Sequence, residues 1–192
     1  MFEIIFKIII PGIILGLLLD FFIVRKKEKY IYSYIQKLNW DYIKNQNYKY
    51  YLKTIIASII LTIILIFTLP YLNQIIIDFY PNITITNTDL NINPFLIFLY
   101  IIILTVTPIF EEWLFRGIIL TEIKEKTNSK ILGIILSSGL FSLIHITNPG
   151  IFPPILIVYF IGGLFLGIFY TFFGLNVVII AHIIYNLFSF LS

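Results

Sequence analysis

Residues 94–120 read PFLIFLYIIILTVTPIFEEWLFRGIIL, and this stretch decides the fold. Its first 17 residues carry no charge, and then Glu111, Glu112 and Arg116 appear inside an otherwise apolar run. A helix needs about 20 mostly apolar residues to cross the hydrocarbon of a bilayer. This stretch is long enough, and its three charged residues stand where lipid makes them expensive. The rest of the chain has the same character. Of 192 residues, 59% are hydrophobic and 12% are charged, and the mean hydropathy is +0.99. Soluble domains are about 45–50% apolar and about 25% charged. The composition predicts an all-α integral membrane protein forming one membrane domain over residues 1–192. It excludes a disordered chain, which needs low hydrophobicity and high charge. There are no cysteines, so disulfides, thiolate metal sites and cysteine nucleophiles are ruled out. The net charge of +3 is too small to suggest a nucleic-acid partner.

Working outward, six spans are expected: Phe2–Val24, Thr54–Ile77, Pro94–Leu120, Ile131–Ile146, Ile155–Phe173 and Asn176–Leu191. The first is read as a retained span, because the basic run Arg25-Lys26-Lys27 follows it instead of preceding it. Tyr30–Lys53 mixes tyrosines and Trp40 with lysines, which suits an interfacial cytoplasmic helix. Lysine and arginine set the orientation. Arg25–Lys53 holds eight of the 13 basic residues, and Thr121–Lys130 holds three lysines. Asp78–Asn93 and Thr147–Pro154 hold none. The basic connections therefore face the cytoplasm, and both termini lie opposite.

Ionisable groups within apolar spans are candidates for function. Glu112 and Arg116 are four apart and can pair along one helix face. Glu111 is rotated about 100° from Glu112, and its i+4 neighbour is Phe115. A carboxylate without an intrahelical cation is a candidate general base. The midpoint between Glu111 and His145 falls at residue 128, inside the turn-like Thr127-Asn128-Ser129. A helical hairpin turning there brings Glu111 level with His145 and pairs Glu122 with Lys126. His182 and Asn186 are also four apart, so all these pairs can point into one cavity. Pro108 predicts a kink one turn before Glu111. Ser137, Ser138, Gly163 and Gly167 read as close-packing positions.

Glu111–Arg116 matches EExxxR, Phe141–His145 matches FxxxH, and His182–Asn186 matches HxxxN. In this order, over residues 107–186, they resemble the CPBP family of intramembrane proteases. That family comprises CAAX proteases and bacteriocin-processing enzymes, including type II CAAX prenyl endopeptidases and lysostaphin-resistance and bacteriocin-immunity proteins. The resemblance implies a glutamate-dependent endopeptidase of the cell membrane with no cofactor. Glu111 would activate water, assisted by His145. His182 and Asn186 would form the oxyanion hole, with Glu112 and Arg116 in support. It also implies a cavity open to the cytoplasm. The substrate would be a membrane-anchored peptide or protein, with or without a prenyl group. Two other readings stay open. His145, His182 and a glutamate can hold a divalent metal in a metallopeptidase, although HExxH is absent. The same polar residues can line an ion path in a transporter, or persist in a non-enzymatic immunity protein.

Overall fold

The computed structural model describes residues 46–80, 94–147 and 153–191. The chain divides into two compact units, Met1–Ile56 and Ala57–Ser192. The described residues are almost entirely helical, with no strand among them. The expected span Phe2–Val24 and residues 30–45 of the expected interfacial helix lie outside them.

Helix α1 runs Tyr48–Phe79, starting six residues before the expected Thr54. The Asn47 side chain explains the earlier start: its Oδ1 accepts the Tyr50 N–H at 3.0 Å, capping the helix end. Tyr48–Lys53 thus forms the first turns of α1. Ala57, Ser58, Leu61, Thr62, Leu65 and Leu69 are buried, at the three- and four-residue intervals of one helical face. Ile59, Ile60, Ile63 and Phe67 on the other side are exposed. A helix apolar on every face suits lipid, where the outward residues meet hydrocarbon.

Helix α2 (Pro94–Glu112) leads into a π-helical stretch, Trp113–Leu120, and then α3 (Thr121–Thr127). Pro108 is buried inside α2, and the departure from regular winding comes after the glutamates, at Trp113. The Thr121 hydroxyl donates to the Arg116 carbonyl five residues back, at 3.0 Å. With that proton committed, the Tyr170 hydroxyl donates to Thr121 Oγ1 at 2.9 Å. These bonds serve a carbonyl within the irregular stretch. Glu122 and Lys126 pair at 3.5 Å.

The hairpin turns at the expected cluster. Asn128 ends α3 in the left-handed region (φ 53°), a conformation asparagine tolerates. Ser129 Oγ then accepts the Leu132 N–H and caps α4 (Lys130–Ile144). A 3-10 turn, His145–Thr147, follows. Another, Pro153–Ile155, precedes α5 (Leu156–Phe173), and α6 spans Leu175–Leu191. Among the described residues, three stretches are long and apolar enough to cross a membrane: Tyr48–Phe79, Ile97–Thr127 and Pro153–Phe173. Helices α4 and α6 are apolar but shorter.

Small residues set the crossing of α4 and α5. A Cβ added to Gly163 would sit 3.0 Å from Ser138 Cβ and 3.1 Å from its Cα. One added to Gly167 would meet Ile134 at 3.1 Å. Gly163→Ala is expected to cost about 1–3 kcal/mol through overpacking. The reading is a lower thermal midpoint in detergent; an unchanged midpoint would show that the crossing has slack.

Candidate active site

The charged residues at the end of α2 and in the π-helical stretch after it are held from three directions. Arg116 Nη1 donates to Glu112 Oε1 at 3.0 Å, and Nη2 donates to the Gly163 carbonyl at 3.2 Å. Its guanidinium also lies 4.6 Å from the Phe141 ring centroid, within cation–π range. Glu112 and Arg116 are both fully buried. They sit behind the cavity and do not line it, although the helical spacing suggested that they could point into it.

Glu112 Oε1 has a second partner, His182 Nδ1, at 2.8 Å. An ionised carboxylate only accepts, so Nδ1 carries the proton and His182 presents Nε2 on its far side. That nitrogen lies 3.7 Å from Glu111 Oε2. Glu112 therefore fixes the Arg116 guanidinium and the His182 tautomer through one oxygen. Glu112 Oε2 and Arg116 Nε have no hydrogen-bond partner among the described residues. Order in this cluster thus rests on the shared Oε1.

His145 is oriented independently. Its Nδ1 is 2.8 Å from the Phe141 carbonyl, which can only accept, so Nε2 is left as the acceptor. Its ring stacks on Tyr159 with centroids 4.1 Å apart and an interplanar angle of 23°. Phe141 packs against both imidazoles, 4.8 Å from His145 and 6.0 Å from His182.

A cavity of about 620 Å³ lies between these helices. Glu111, His145, His182 and Asn186 all line it, together with Phe141 and Tyr159. The structure thus gathers the four residues expected to carry chemistry. Sequence reasoning missed three positioning features: the Glu112–His182 bond, the Gly163 carbonyl and the Tyr159 stack. The bond joins residues 70 apart in the chain, and no local pattern signals it. Among the described residues no three His, Asp or Glu side chains are grouped as a metal site requires.

Residues 93–188 match the family model described as type II CAAX prenyl endopeptidase Rce1-like. The chain belongs to this family. The matched region spans α2 to most of α6, and so contains every cavity-lining residue except those of α1 and, at the end of α6, Ser189 and Phe190. No curated protein and no solved structure matches the chain significantly. Membrane-length apolar helices and membership of this family make it an integral membrane protein with a protease domain.

Proposed function

We propose that the chain is an intramembrane endopeptidase that hydrolyses a peptide bond of a membrane-associated substrate without a cofactor. One observation carries this reading: Glu111, His145, His182 and Asn186 line a single cavity enclosed by apolar helices. Glu111 acts as general base on water, and the oriented His145 Nε2 holds that water. A positioned general base contributes about 10²–10⁴-fold. Asn186 donates its amide to the developing oxyanion. His182 joins it in the protonated form, since its Nδ1 proton is already given to Glu112.

The reading includes six spans, with α4 and α6 as short ones. At 1.5 Å per residue, 15- and 17-residue helices are about 22 and 26 Å long, below the ~30 Å hydrocarbon thickness. Snorkelling flanks and local thinning cover such differences at modest cost. The lysine-bearing ends of α3 and α4 lie in the cytoplasm of a cell-membrane protein. The partners are lipid and a membrane-anchored peptide or protein, prenylated or not.

Comparing the peptide termini in membranes that contain the wild type or Glu111→Gln tests this function. New termini are expected only with the wild type, and identical sets would refute it. With a substrate in hand, Asn186→Ala is expected to lower kcat by about 10²-fold or more, with a small change in KM. An unchanged kcat would remove Asn186 from the oxyanion hole.

A further inference from the structure

Helix α1 lies outside the residues that the family model matches, 93–188, and still forms one wall of the cavity. Its contributions are Leu65, Leu69, Pro70 and Asn73. Leu65, Leu69 and Asn73 follow one another in four-residue steps, so they share a helix face. Leu65 and Leu69 are buried. Leu69 sits so close to Gly162 of α5 that a Cβ added there would stand 3.1 Å from its Cδ1. Pro70 is inside α1, yet the helix runs on to Phe79, which keeps Asn73 on that face. The next residue has a different fate. Gln74, rotated about 100°, donates from Nε2 to Asp78 Oδ1 at 2.8 Å on the exposed side. The Asn73 side chain has no such bond among the described residues. Its amide is the polar side chain that α1 brings to the described cavity wall.

Peptide hydrolysis sets a demand that this amide meets. A peptide bond is open to attack by water only where the substrate chain has left its helix. The N–H and C=O groups around that bond then lose their partners within the segment, and in apolar surroundings such groups are costly until paired. The side chains of Leu65, Leu69, Val158 and Leu166 line the same cavity and offer no partner. A side-chain amide carries N–H donors and a C=O acceptor side by side. That is the complement of the C=O and N–H of one residue in an extended chain. We infer that Asn73 is a substrate-binding residue, which pairs with the backbone of the peptide and holds it extended in the cavity. The choice of a peptide as ligand rests on the endopeptidase reading, whereas the placement of the amide rests on the geometry of α1. Asn186 enters from α6, on another wall. The two amides divide the work: Asn186 serves the carbonyl under attack, and Asn73 a neighbouring peptide group.

The probe is an acetylated and amidated leucine–alanine peptide, with analogues in which one backbone amide at a time becomes an ester. The ester keeps the shape and removes the N–H. Binding is measured in detergent on the Glu111→Gln protein, with native Asn73 and with Asn73→Leu, beside the thermal midpoints. With native Asn73, an ester at one position is expected to bind about tenfold more weakly than the parent peptide. Asn73→Leu is expected to lose about tenfold in affinity for the parent, and to bind the parent and that ester alike. Its midpoint is expected to hold or rise, because leucine replaces an amide of similar size in an apolar wall. Full affinity in Asn73→Leu overturns the inference. So does a lowered midpoint, which would make the amide part of the fold, and so does a parent peptide that fails to bind the Glu111→Gln protein. Binding needs no turnover. Identical termini with the wild type and Glu111→Gln would therefore sink the endopeptidase reading, and undiminished affinity in Asn73→Leu would sink the role of Asn73 alone.

Discussion

Glu111→Gln is expected to fold and insert as the wild type does, and to lose cleavage by about 10²–10⁴-fold. The amide keeps the size of the carboxylate but cannot take a proton from water. Among the described residues Glu111 has no hydrogen-bonded ion pair, its ionisable neighbour His182 Nε2 lying 3.7 Å away. Neutralising it therefore leaves no buried charge stranded. Single-turnover cleavage, read beside the thermal midpoint, checks both halves. Retained cleavage would discard Glu111 as the base, and lost folding would give it a structural role. His145→Ala is expected to show the same separation, because the Phe141 carbonyl and the Tyr159 ring orient His145 without the Glu112 cluster.

Glu112 is expected to behave in the opposite way. Glu112→Ala strands the Arg116 guanidinium, which has no exposure, and such a loss costs about 3–5 kcal/mol. It also removes the acceptor that sets the His182 tautomer, so stability and turnover fall together. The double variant Glu112→Leu/Arg116→Met separates these effects. Replacing a buried pair by apolar residues of similar size is often neutral or stabilising. Stability is therefore expected to return while cleavage stays absent, because His182 is still unanchored. Recovery of both would show that Glu112 serves packing alone.

The sequence disclosed what is local. The Asn128 turn follows from a short cluster of turn-forming residues, the Glu122–Lys126 and Glu112–Arg116 pairs follow from a spacing of four, and all are present. Helix ends were less legible, because one capping side chain, Asn47, carries α1 two turns past the apolar boundary. The π-helical stretch was not legible. It depends on Thr121 reaching both Arg116 and Tyr170, and Tyr170 is 49 residues away. The gathering of polar residues into one cavity was readable because lipid makes each of them costly alone. Their individual bonds were not, since Glu112 joins His182 across 70 residues and Arg116 joins Gly163 across 47.

Those separations bear on biogenesis. As the ribosome delivers the chain, the segment carrying Glu112 and Arg116 reaches the translocon well before Gly163 and His182 exist. Until then the pair has only itself to offset transfer from water, and a charged residue at a helix centre costs about 2.5–3.5 kcal/mol on insertion scales. A nascent segment in that condition would linger at the protein-conducting channel until the downstream helices arrive. Its commitment to lipid is thereby coupled to completion of the bundle.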